Sequence, residues 1–138
     1  MANTCNLFIS HAWSYGDQYK GLVKLLDAAE GFTYSNYSVP KDDPVHDAKN
    51  ERELYDAIKK QMSYSHVVVI LAGVYSTYSK WINKEIYIAQ KEFSTRKPIL
   101  AIEPWGSERT SQVVKNAADK IVKWNTNSIV SAIKELKK

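Results

Sequence analysis

Glu85 is the residue whose placement most needs a chemical explanation. The stretch from Tyr78 to Phe93 reads, at about 100° per residue, as a helix with Trp81, Ile82, Ile86, Ile88, Ala89 and Phe93 on one apolar arc. Glu85 falls in the middle of that arc, with Trp81 one turn before it and Ile88 and Ala89 one turn after. Lys80, Asn83, Lys84, Tyr87 and Lys91 take the opposite, wet side. A carboxylate at the centre of an apolar face is unfavourable by several kcal/mol unless something compensates it. Spacing alone leaves two explanations open. Glu85 is either an edge-of-face residue paired with Lys80, Lys84 or an arginine, or a working carboxylate in a partly dry cleft.

The surrounding elements suggest where such a cleft would be. Cys5 to Ser10 reads as a short buried strand, with Cys5 a small core residue rather than a reactive thiol. Asp17 to Ala29 has helical spacing and a stop signal at Gly31. Phe32 to Ser35 is a second strand, and Glu51 to Met62 a helix. His66 to Ala72 is continuously apolar and β-branched, as a central parallel strand covered on both faces requires. Lys97 to Ile102 and Lys120 to Val122 are two further strands around a short helix from Glu108 to Asn116. A last helix, capped by Asn125 or Thr126, runs to Leu136. Strands and helices thus alternate five times with no internal repeat or linker, so residues 1–138 are expected to form one domain. The expected fold is α/β, a flavodoxin-like, doubly wound, five-stranded parallel sheet flanked by helices.

In open parallel sheets the ligand site lies beyond the carboxyl ends of the strands, where the strand order reverses. Those ends carry Ser10-His11-Ala12-Trp13, the irregular loop from Asn36 to Asn50, Gly73-Val74-Tyr75 and Pro104-Trp105-Gly106. Trp81 and Glu85 occupy the first two turns of the helix that leaves the central strand. Aromatic rings around one carboxylate suit a planar ring attached to a sugar. Trp105 and Trp124 read first as packing residues, with Trp105 the nearer to this rim. Trp81 and His11 have equally plain readings, as a core tryptophan and a strand-end hydrogen bonder.

Several familiar sites are excluded on residues. No glycine-rich dinucleotide or P-loop phosphate signature follows a strand, and no Gly-x-Ser-x-Gly elbow occurs. A phospho-receiver would need acids where Ser10-His11 and Ala72-Gly73 stand. Three histidines lack zinc spacing, and Asp42, Asp43 and Asp47 sit among prolines as a solvated loop, so no metal is expected. The net charge of +4 is mild and scattered except toward Lys134 to Lys138, which gives no nucleic-acid footprint. No apolar run is long enough to span a bilayer. The single cysteine and the lack of a signal-like N-terminus point to the cytoplasm.

Leu7-Phe-Ile-Ser-His-Ala-Trp13, Asn36-Tyr-Ser-Val-Pro40, Leu71-Ala-Gly-Val-Tyr-Ser76, Ser79-Lys-Trp-Ile-Asn-Lys-Glu85 and Pro104-Trp-Gly106 together resemble the bacterial TIR-like domains, in particular those of Thoeris anti-phage defence. The resemblance covers nearly the whole chain. It implies an enzyme that cleaves the nicotinamide–ribose bond of NAD+, which is substrate rather than cofactor. Glu85 matches the family's catalytic glutamate. Ser10, His11, Ala12 and Trp13 match the first box at the pocket mouth, and Asn36, Tyr37 and Ser38 match the start of the second-box loop. Together with Gly73, Tyr75, Trp81 and Trp105 they form the expected substrate-binding set. Thoeris members make a cyclic ADP-ribose isomer that a separate effector reads, and TIR surfaces can self-associate. The second-box loop lacks the Arg-Asp…Pro-Gly wording of animal TIR domains, and His11 stands for a common tyrosine, which argues against a receptor adaptor. Two other classes stay open from the residues: a TIR-like scaffold without catalysis, and a nucleoside deoxyribosyltransferase-like enzyme using the same glutamate.

If Glu85 is catalytic, its position past the first helical turn predicts a raised pKa, yet a carboxylate still ionised at pH 7.

Overall fold

The structure, a computed structural model, describes residues 4–10, 16–37, 51–71, 80–103 and 112–137, with the side chains of 16–19, 51, 54, 71, 80–82, 112 and 113 undescribed. Five strands, β1 (Thr4–Ile9), β2 (Thr33–Asn36), β3 (Val67–Leu71), β4 (Ile99–Glu103) and β5 (Lys120–Lys123), form one sheet in the order β2-β1-β3-β4-β5. Every pairing is parallel. This is the flavodoxin-like order expected from the alternation of elements.

Helices α1 (Gly16–Ala28), α2 (Glu51–Ser63), α3 (Lys80–Lys91), α4 (Gln112–Ala117) and α5 (Thr126–Leu136) cover both faces. Crossovers between parallel strands are right-handed, so the direction in which the chain steps across the sheet decides which face each helix covers. The chain steps outward from β1 to β2 and then back past β1 to β3, β4 and β5. Accordingly α1 and α5 pack on one face through Leu22, Leu26, Ile129, Ala132 and Ile133. On the other face α2, α3 and α4 pack through Ile58, Met62, Ile86, Ile88, Ala89 and Val114. The strands serve the two cores alternately: Leu7 and Ile9 face α1 and α5, whereas Phe8 faces α2, α3 and α4. Cys5 is buried with the first group, as its apolar surroundings require.

Local signals account for the boundaries. Gly31 adopts φ 70° just after α1, a left-handed turn open to glycine. Asn125 caps α5, its side chain accepting from the Ser128 amide at 3.0 Å. β4 begins at Ile99, two residues later than expected, because Pro98 brings no amide hydrogen and serves only through its carbonyl, which accepts from the Val68 amide at 2.9 Å. The Ile99 amide is taken by the Asp119 carboxylate at 2.8 Å, which also holds Arg96 at 2.7 Å and anchors the start of β4 beside β5. Among the described residues no helix is long and apolar enough to cross a membrane.

One helix position is left under-used. Gly21 lies inside α1, and a Cβ there would meet Trp124 Cζ2 at 3.5 Å, an ordinary packing distance. Gly21→Ala is expected to stabilise the protein by about 0.5–1 kcal/mol, seen as a higher thermal midpoint, because the unfolded chain loses freedom without a clash in the folded one. A lower midpoint would contradict that packing.

Candidate functional site

The site is built by strand parity and helix periodicity meeting at the point where the strand order reverses. β1 ends at Ile9, and the Ser10 amide continues its ladder by donating to the Val69 carbonyl at 2.8 Å. Since Phe8 faces α3 and successive strand residues alternate, Ser10 directs its side chain to that same face. On α3, the residues beside Glu85 in space and sequence, Ile86, Ile88 and Ala89, are all buried against the sheet. Glu85 is carried with them and is only 2% exposed. The Ser10 hydroxyl donates to Glu85 Oε1 at 2.5 Å, and Ser10 is itself fully buried.

This arrangement bears on the two explanations left open by spacing. Glu85 forms no ion pair among the described residues; its partner is a neutral hydroxyl. Burial pushes its pKa up to about 8, with the Ser10 hydrogen bond pulling the other way. The expectation of a carboxylate ionised at pH 7 is therefore corrected. α3 starts at Lys80, so Glu85 lies beyond the first turn, where the helix dipole fades, and no cation among the described residues replaces the lost water. At rest near pH 7 most molecules hold Glu85 as a neutral acid. Among the described residues no hydrogen bond to Oε2 is seen.

Removing the hydroxyl should therefore be visible in a titration. Ser10→Ala withdraws a hydrogen bond that favours the charged form. The acid limb of a pH–rate profile is expected to move up by about one pH unit, the equivalent of a ~1.4 kcal/mol hydrogen bond to a charged group. A limb that stays in place would show that Ser10 does not support the carboxylate.

The other expected site residues are distributed unevenly. Asn36 is exposed at the end of β2, and the Tyr37 ring lies against Tyr64 at 5.5 Å between centroids, so the contact seen for Tyr37 is with the end of α2 and not with Glu85. The backbone of Trp81 belongs to the first turn of α3, while its side chain is outside the described residues. His11, Ala12, Trp13, Ser38, Gly73, Tyr75 and Trp105 are likewise outside them, as are Asp42, Asp43 and Asp47. Trp124 packs against the core on the α1 and α5 face, as a packing residue should. The direct bond between Ser10 and Glu85 went beyond sequence reasoning, which placed Ser10 only at the pocket mouth. The signal was present in the parity it shares with Phe8.

The remaining polar clusters hold structure together. Tyr55 donates to Glu92, which also faces Lys59 at 3.5 Å, and so ties α2 to the end of α3. Burial and the Glu92 carboxylate push the Tyr55 hydroxyl up to about 12. His66 Nδ1 accepts from the Asn6 amide at 2.9 Å at the amino end of β3, and burial, with Lys137 and Lys97 nearby, holds its pKa below the ordinary value.

A five-stranded parallel sheet in this order, with a buried glutamate from the helix after the central strand meeting the end of the first strand, is the framework of a TIR-like domain. The family model described as the TIR-like domain of Thoeris protein ThsB matches residues 8–109, a span that includes both Ser10 and Glu85, and the chain belongs to that family. It is thus a TIR-like domain of the Thoeris anti-phage defence type. Comparison with curated proteins finds no match.

Proposed function

We propose that this TIR-like domain cleaves the bond between nicotinamide and ribose in NAD+ and closes the remaining ADP-ribose into a cyclic signalling nucleotide for a separate defence effector. The observation that carries the reading is Glu85: a buried carboxyl at the strand-order reversal, one oxygen held by Ser10 and the other without a partner among the described residues. Membership of the Thoeris ThsB family supports it.

The chemistry needs little more than that carboxylate. Breaking the glycosidic bond builds oxocarbenium character on the ribose, and nicotinamide leaves as a neutral molecule because its ring nitrogen is quaternary in NAD+. No general acid is required for the leaving group. Ionised Glu85 stabilises the ribosyl cation through Oε2, by charge, by hydrogen bonds to its hydroxyls, or by trapping it covalently, while Ser10 fixes Oε1. Cyclisation follows when a nucleophile of the same molecule reaches the anomeric carbon before water does. Trp13 and Trp81, which the sequence brings to the pocket rim, are the residues proposed to exclude that water.

The test is a product spectrum by mass spectrometry from phage-infected cells expressing the protein, alongside purified protein given NAD+ or a nucleoside. Free nicotinamide and a cyclic ADP-ribose isomer, both lost in Glu85→Gln, are expected. Base release from the nucleoside but not from NAD+ would replace this reading with a transferase. Nicotinamide release undiminished by Glu85→Gln would overturn it.

A further inference from the structure

Among the described residues Glu85 is the one buried side chain of a charged type, and it has no counter-charge. The described ion pairs and charged hydrogen bonds on the elements around it involve other groups. On α2, Lys59 and Tyr55 meet Glu92, and Arg52 faces Asp56. On α4, Lys115 faces Glu103, which Lys123 of β5 also approaches. Lys97 donates to the carbonyls of Ser63 and Ser65 at the other end of the sheet, where His66 accepts from Asn6. Of α3 itself, Lys84 is half-buried and Lys91 exposed. On this face the described strand residues of the core are apolar, Phe8, Val68, Ile70, Ile99 and Ala101. A carboxylate at this position is therefore short of one positive charge, which protein groups in the described structure do not provide.

We propose that the ligand provides it: Glu85 selects a positively charged N-ribosylated aromatic ring over a neutral one by giving up its own proton as that cation binds. This deepens the NAD+ reading and rests on it. The carboxyl O–H bond breaks, the proton passes to the buffer, and the ring's charge becomes the counter-charge of the carboxylate. No covalent bond to the ligand forms in this step. Ser10 holds Oε1 throughout, so the carboxylate is oriented when it appears. The pKa of about 8 at rest agrees with this, since near neutral pH most of the protein carries the proton to be released. Substrate binding then creates the charged form that the cleavage step requires.

The experiment compares carba-NAD+, whose nicotinamide ribose has a methylene in place of the ring oxygen and is not cleaved, with NADH, whose nicotinamide ring is neutral. Calorimetry near pH 6.5 in buffers of different ionisation heat counts the protons released. About one proton per carba-NAD+ is expected, with Kd rising about tenfold for each pH unit lowered below the resting pKa. NADH is expected to bind more weakly and to release none. Glu85→Gln is expected to release no proton with either ligand and to lose most of the preference. Buffer-independent heats for carba-NAD+, a Kd that is flat with pH, or no binding at all would overturn the proposal. The two readings fail separately. Proton-coupled carba-NAD+ binding without nicotinamide release from NAD+ counts against cleavage alone, whereas NAD+ turnover with uncoupled binding counts against this inference alone.

Discussion

Glu85→Gln is expected to lower NAD+ cleavage about a thousandfold, roughly 4 kcal/mol of transition-state stabilisation, while leaving the fold intact. Glutamine keeps the size of the side chain and an oxygen to accept from Ser10, so the bond that joins β1 to α3 survives. What disappears is the negative charge opposite the forming ribosyl cation. In a site from which water is excluded, that charge is worth far more than it would be in solvent. The loss should fall on both kcat and KM, because the carboxylate meets the cationic ring of bound NAD+ as well as the ribosyl cation that forms from it. Steady-state nicotinamide release across a range of NAD+ concentrations measures it. A variant within tenfold of the wild type in kcat/KM would remove Glu85 from the mechanism.

The same substitution is expected to make the protein more stable, and increasingly so toward alkaline pH. Folding raises the Glu85 pKa from 4.5 to about 8, so the folded state binds this proton more tightly than the unfolded one. For such a group, the stability contributed by the neutral form is fully present below about pH 4.5 and is lost as pH rises through about 8. The whole swing is on the order of 5 kcal/mol, an upper bound because relaxation and water entry soften it. Glutamine does not titrate. The stability gained by Glu85→Gln should therefore be greater at pH 9 than at pH 6 by about 2–3 kcal/mol, measured from denaturant midpoints of the two proteins. His66 acts in the opposite sense: its lowered pKa contributes stability above its unfolded value that is lost as pH falls through the folded one. That term is common to both proteins and cancels in the comparison. An equal gain at both pH values would show that Glu85 is not the buried, unpaired acid described above. Lower activity together with higher stability is the usual mark of a side chain retained for chemistry rather than for packing.

How much could be read without coordinates depended on the range of the interactions involved. The central strand was legible because Val67 to Leu71 is apolar throughout, and parallel strands covered on both faces need no alternation. The α5 start was legible because an asparagine cap acts within three residues of sequence. The later start of β4 was not, since Asp119, twenty residues on, supplies the partner of the Ile99 amide. The pKa expectation missed for a similar reason. Position on a helix suggests how the dipole acts on Glu85, but the size of the desolvation depends on what surrounds it, and no cation among the described residues offsets it.

By itself, the sequence determined the alternation of strands and helices and an apolar helical arc with one carboxylate at its centre. It also carried the boxes that mark a TIR-like domain. These are local periodicities and residue identities, and they need no knowledge of what lies across the fold. Only the tertiary structure decided that Glu85 meets Ser10, 75 positions away, at 2.5 Å. That contact depends on which face of the sheet α3 covers, which follows from the direction of each crossover and the order β2-β1-β3-β4-β5. With α3 on the face that Phe8 and Ser10 share, parity brings hydroxyl and carboxylate together. The same burial removes water from Glu85, which has no counter-charge among the described residues.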